Sequence, residues 1–84
     1  MWKFIIIYFS LVDKKLKISV VGTGLMGIQH LEAIKKSKKT SLHSVVDINL
    51  NAQEISKKYK SRLFRNINDL IKFDKPDGVI IATP

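Results

Sequence analysis

The sequence contains no cysteine. A disulfide scaffold and any cysteine-ligated zinc or iron–sulfur centre are thereby excluded. Its two histidines, His30 and His43, stand thirteen positions apart, too far for a close helical metal pair, and no metal site is expected. It also lacks the run of roughly 20 apolar residues that a membrane-spanning helix needs. Phe4 to Val12 comes nearest, nine residues interrupted by Ser10. Glycine is scarce, but three of the four glycines fall within six residues. At 84 residues, the chain is shorter than most single domains.

What is present is otherwise ordinary. Hydrophobic residues make up 45% and charged residues 26%, a balance that argues against disorder. The net charge of +8 raises the question of nucleic acid. Its source answers it. Lys35, Lys36, Lys38 and Lys39 gather at the end of one expected helix, and Lys57, Lys58 and Lys60 at the end of another. Cations there oppose the helix dipole favourably. No nucleic-acid-binding motif and no interleaved aromatic platform accompanies them. The lysines read as solvated surface, and neither nucleic acid nor membrane is an expected partner.

Residues 1–15 read as an apolar extension. Lys3 and the stretch after it resemble the start of a signal peptide, but Asp13-Lys14-Lys15 follows where a small-residue cleavage site belongs. The plainer reading is a non-native extension. Absence of cysteine and of a convincing export signal makes cytoplasm the default location.

From Leu16 onward the pattern alternates. Leu16 to Val21 is a β-branched run that ends at Gly22. A helix is expected from Met26 to Ser37, with Gly27, Leu31 and Ile34 on one face. Leu42 to Asp47 reads as a strand with His43 partly exposed. Asn51 to Lys60 reads as a helix with Ala52, Ile55 and Tyr59 inward, and Leu63-Phe64 as a short strand. Asn66 is placed to cap a third helix in a weak capping box with Asp69, with Ile67, Leu70 and Ile71 facing inward. After the turn Lys75-Pro76-Asp77-Gly78, Val79 to Ala82 forms a fourth strand. The expected fold is α/β: a partial doubly wound parallel sheet of the Rossmann type, β-α-β-α-β-α-β, built by residues 16–84.

Gly22-Thr23-Gly24-Leu25-Met26-Gly27 matches G-x-G-x-x-G between an expected strand and an expected helix, the context that gives the pattern meaning. Gly22 permits the tight turn, Gly24 lets backbone approach a pyrophosphate, and Gly27 lets the helix pack on the sheet. Thr23 belongs to the same turn. Leu25 and Met26 would act through backbone N–H groups at the helix N-terminus. A Walker-type loop is excluded, because no Lys-Ser or Lys-Thr follows the glycines. Asp47, twenty residues after Gly27, ends the second strand, where a carboxylate accepts from ribose hydroxyls. A 2′-phosphate would meet like charge there, and Ile48-Asn49-Leu50-Asn51 brings no cation. The expected cofactor is NAD, in preference to NADP. His30, one turn into the first helix, reads as a packing or capping residue rather than an acid or base.

From Leu16 to Pro84 the chain resembles the N-terminal domain of the Gfo/Idh/MocA family, the glucose–fructose oxidoreductases and inositol dehydrogenases. The resemblance lies in Val21 to Gly27 with His30, in Val45-Val46-Asp47, and in Pro76 to Pro84 with its strand ending in Ala-Thr-Pro. It implies that Gly22, Gly24, Gly27 and Asp47 bind the dinucleotide. Thr83 and Pro84 would line the cleft near the nicotinamide. It implies an NAD(P)-dependent oxidoreductase acting on a sugar- or inositol-like substrate in an intact parent. The family's catalytic lysine lies in a Glu-Lys-Pro motif downstream of the residues present, so no catalytic residue is expected among them. These 84 residues alone are expected to be inactive. A non-enzymatic NAD-binding module, or a decayed fragment, is the competing reading. Oligomeric state is not legible.

Overall fold

The computed structural model describes residues 15–83. The expectations for Met1 to Lys14 and for Pro84 fall outside them. Seven elements alternate: β1 (Leu16–Val21), α1 (Leu25–Lys36), β2 (Thr40–Val46), α2 (Ala52–Lys58), β3 (Arg62–Phe64), α3 (Ile67–Phe73) and β4 (Gly78–Ile81). The four strands form one parallel sheet in the order β3-β2-β1-β4. That is the partial doubly wound arrangement the alternation implies. Element ends differ from the sequence reading by only one or two residues.

One face of the sheet is an apolar core. Val20 of β1 and Val45 of β2 pack under Leu31 and Ile34 of α1, with Ile18, Leu42, Ile55, Tyr59, Leu63 and Ile80 around them. Full burial of a side chain such as Leu31 contributes about 1.5–3 kcal/mol. The Tyr59 hydroxyl donates to the Glu32 carboxylate and so ties the end of α2 to α1. That hydrogen bond lowers the Glu32 carboxyl and raises the Tyr59 phenol relative to their ordinary values.

The opposite face departs from the sequence reading. In the β1–β2 pairing, Ile18 lies against Leu42 but Ser19 against Ser44, so His43 is an extra residue in β2. This bulge explains how Leu42 and Val45, three apart, reach the same core when strict alternation would send them to opposite faces. It also turns His43 inward. As a residue it is of intermediate exposure, the partly exposed position expected, while its side chain is only 6% exposed. The imidazole Nδ1 lies 3.3 Å from the Ser19 hydroxyl and 3.1 Å from that of Ser44, and Nε2 lies 3.2 Å from Asp74 Oδ2 at the end of α3. Ser19 and Ser44, both fully buried, bond each other at 2.7 Å. A buried polar seam is tolerable because each member has a partner.

Helix termini follow their sequence signals with one exception. Asn66 caps α3 by accepting the Asp69 N–H at 2.8 Å, and its own amide donates to the Asp69 carboxylate at 3.2 Å. Leu70 anchors α3, whereas Ile71, expected to face inward, is exposed. The exception is α2. Its end is closed by the Ser61 N–H bonding Ser56 O at 2.8 Å, which places Lys60 at φ 54°, a left-handed conformation usually given to glycine.

Candidate functional site

The helices load opposite faces of the sheet, so the chain's path reverses between β1 and β4. The carboxyl ends of those two neighbouring strands border a crevice, the place where open α/β sheets bind ligands. A cleft of about 650 Å³ lies there. Gly22, Thr23, Gly24, Leu25 and Met26 supply one wall, Asp47 and Asn49 a second, and Ile81, Ala82 and Thr83 a third.

Each glycine of the turn answers to a different constraint. Gly22 takes φ +104°, and a Cβ on it would lie 3.0 Å from the Ala82 carbonyl oxygen and 3.3 Å from the Thr83 methyl. This residue therefore sets the close approach of β1 to the end of β4. A Cβ on Gly27 would lie 1.9 Å from the Gly22 carbonyl oxygen, an impossible contact, so the helix packs on the turn only through a glycine. Gly24 is the opposite case. A Cβ there would meet nothing within 4 Å. Fold geometry alone does not demand glycine at this position, and the space left open faces no protein atom. Gly24 is also the N-cap of α1, and no side chain among the described residues caps the helix. The first N–H groups of a twelve-residue helix are thus left for an acceptor from outside.

Asp47 is wired to this turn. Its Oδ2 accepts the Thr23 hydroxyl at 2.5 Å and the Thr23 N–H at 2.8 Å, while Oδ1 accepts the Asn49 N–H at 2.9 Å. Burial alone would push the carboxyl up. Donors from Thr23, Asn49 and Ile48 outweigh it and hold the group below its ordinary value. The side chain is anionic at neutral pH. Oδ2 carries two hydrogen bonds from Thr23 and Oδ1 one from Asn49, so Oδ1 is the oxygen better placed to accept a donor such as a ribose hydroxyl.

The structure brings together Gly22, Thr23, Gly24, Leu25, Met26, Asp47 and Thr83 of the sequence-derived set on one cleft. Gly27 stands behind the turn and supports it. Leu25 and Met26 have exposed side chains, as backbone donors at a helix start should. Three residues were not anticipated. Asn49 lines the cleft and orients Asp47. His30, read from sequence as packing, is a half-buried cleft-lining residue. Arg65, the first residue after β3, donates from Nη1 to the Ile48 carbonyl at 3.0 Å, next to Asp47. No signal near Asp47 in sequence announces it, because eighteen residues separate the two. Lys35, Lys58 and Lys60 border a separate recess with Thr40 at the start of β2, away from the cleft. Among the described residues, no group of His, Asp or Glu is arranged to hold a metal, and no helix is long and apolar enough to cross a membrane.

Comparison with known proteins agrees with this geometry. No curated protein sequence matches the chain. Among solved structures, WlbA dehydrogenase from Bordetella pertussis, crystallised with NADH and UDP-GlcNAcA, is 26% identical with a TM-score of 0.78 over 84% of this chain and 22% of its own. GenD2 from gentamicin A biosynthesis, crystallised with NAD, is 26% identical with a TM-score of 0.78 over 87% of this chain and 21% of its own. Apo scyllo-inositol dehydrogenase from Lactobacillus casei shares the fold at 24% identity and a TM-score of 0.78, over 87% of this chain and 22% of its own. The chain thus spans about a fifth of the length of each. The family described as "Oxidoreductase family, NAD-binding Rossmann fold" matches residues 16–84. With its glycine turn, carboxylate and strand order in place, the chain belongs to the Gfo/Idh/MocA oxidoreductase family and carries that family's NAD-binding Rossmann fold.

Proposed function

We propose that this chain is the cofactor-binding part of an NAD-dependent dehydrogenase that oxidises an alcohol carbon of a sugar- or inositol-like substrate. The observation that carries the reading is Gly24. The turn is locked by contacts at Gly22 and Gly27, yet at Gly24 the backbone lies open beside uncapped helix N–H groups, with an anionic Asp47 alongside. That combination fits a pyrophosphate flanked by a ribose. Gly22, Thr23, Gly24, Leu25 and Met26 would hold the phosphates and Asp47 the adenosine ribose. Gly27 would act by keeping the helix start against the turn. Thr83 and Pro84, after β4, would border the nicotinamide half. The bound nicotinamide supplies hydride chemistry, and these residues bind and orient it. No residue here is assigned an acid or base role.

The substrate class rests on relatives. One was crystallised with UDP-GlcNAcA, and another is an inositol dehydrogenase. A cytoplasmic location suits a chain without cysteine.

Asp47 supports NAD over NADP. A 2′-phosphate about 4 Å from its carboxylate would be repelled by about 1 kcal/mol in water and about 4 kcal/mol at an effective dielectric of 20, per unit charge. Calorimetric titration with NAD and NADP tests the reading. Tighter binding of NAD is expected, and equal or tighter binding of NADP would overturn the preference.

A further inference from the structure

We propose that Arg65 is a specificity-determining residue at the adenosine end of the cleft, where it supplies the chain's tolerance for a 2′-phosphate and so opposes Asp47. The inference rests on the dinucleotide reading of the cleft.

A second recess of about 250 Å³ adjoins the cleft and shares Gly22, Asp47 and Thr83 with it. Ile48 and Ile67 give it apolar walls and Arg65 borders it. Its size suits one flat heteroaromatic ring rather than a whole nucleotide, and it begins at the carboxylate assigned to the ribose. A base seated there would set its ribose beside Asp47, with Arg65 on the border of the same recess.

Arg65 is fixed but not neutralised. One guanidinium nitrogen is held on the Ile48 carbonyl at 3.0 Å. Among the described residues no carboxylate lies within 4.0 Å of the Arg65 guanidinium, so Asp47 does not quench its charge by direct contact. Arg65 is exposed, and its remaining N–H donors are free to meet an acceptor among the described residues' surroundings. It is also the one Lys or Arg among the described residues that line the cleft or the recess. A guanidinium with spare donors recognises a phosphate dianion by charge and by paired hydrogen bonds. Asp47 and Arg65 therefore act in opposite directions on the same substituent. One repels a 2′-phosphate and the other attracts it, whereas the bare 2′-hydroxyl of NAD feels mainly Asp47.

The bland alternative is that Arg65 only staples the loop after β2 to the end of β3. Arg65→Gln and Arg65→Lys together separate the two roles, because glutamine loses the charge and the reach to the Ile48 carbonyl whereas lysine keeps the charge. Affinities for NAD and NADP are measured by calorimetry on wild type and variant at two salt concentrations. The expected result is that NADP weakens about ten-fold or more while NAD changes less than about three-fold. The salt dependence of NADP binding should become shallower in the variant. Arg65→Lys should retain part of the NADP affinity. An equal fall for both cofactors, or no change in either, would overturn the proposal. Failure of the wild type to bind either cofactor would overturn the dinucleotide reading together with it.

Discussion

The hydroxyl and the backbone N–H of Thr23 both donate to a single carboxylate oxygen, Oδ2 of Asp47, at 2.5 and 2.8 Å. This pair ties the turn after β1 to the end of β2. The residue proposed to hold the ribose is thus also the residue that shapes the glycine turn. Preorganisation of this kind occupies two acceptor sites on Asp47 and gains a fixed angle between the two subsites.

Asp47 should stabilise the fold in a pH-dependent way. Its folded pKa lies below its ordinary value of about 3.8. A depressed carboxyl binds fewer protons folded than unfolded, so its stabilisation is fully present above the unfolded pKa and declines as pH falls through the folded one. Asp47→Asn should destabilise the chain by about 1 kcal/mol at pH 7, modest because the site is open to solvent. In urea titrations, that difference from wild type should hold from pH 7 to 5 and shrink below about pH 4. A difference that grows toward acid would contradict the hydrogen-bond account.

Gly24→Ala and Gly27→Ala should separate binding from folding. The added methyl at Gly27 has an obstructing carbonyl oxygen at 1.9 Å, whereas that at Gly24 has no neighbour within 4 Å. Gly27→Ala should cost about 1–3 kcal/mol of stability, visible as a lowered urea midpoint. Gly24→Ala should leave that midpoint within about 0.5 kcal/mol of wild type. It should nonetheless weaken NAD about ten-fold or more. Equal stability losses at both positions would refute the distinction.

Lys60→Gly should raise stability. The lysine sits at φ 54° to close α2, a conformation in which a side chain is penalised. The gain should be about 0.5–1 kcal/mol, reduced by the extra freedom glycine has when unfolded. Thermal unfolding would register it as a higher midpoint, and a lower one would show that Lys60 makes compensating contacts.

Much of the fold was legible because its signals are local. The run from Ile18 to Val21, the clustered glycines and the Asn66–Asp69 cap each declare an element within a few residues. Alternation of those elements then leaves little freedom for a parallel sheet. The His43 bulge was hidden, because Leu42-His43-Ser44-Val45 shows apolar residues three apart, a spacing that fits neither simple period of two nor a helix at that length. Its cause is tertiary: Leu42 and Val45 must both reach the α1 core, and the extra residue is turned onto the other face. Ile71 was misplaced because its neighbour Leu70 alone suffices to anchor a seven-residue helix.

The site divides in the same way. Gly22 to Gly27 and Asp47 could be read by spacing. Arg65 could not, since only the pairing of β2 with β3 carries it to Ile48. His30 reads as packing from the stripe beside it, and its place one turn into α1 also brings it to the border of the cleft.

The most direct test of the central claim is a residue-resolved NMR titration of the ¹⁵N-labelled chain with NAD, a method that registers weak binding as well as strong. Shifts should concentrate on the backbone amides of Gly22 to Gly27, Asp47 to Asn49 and Ala82 to Thr83, with the amides of Lys35, Lys58 and Lys60 unmoved. Absence of shifts at saturating NAD, or shifts centred on the lysine-rich end of the sheet, would contradict the assignment of this cleft to a dinucleotide.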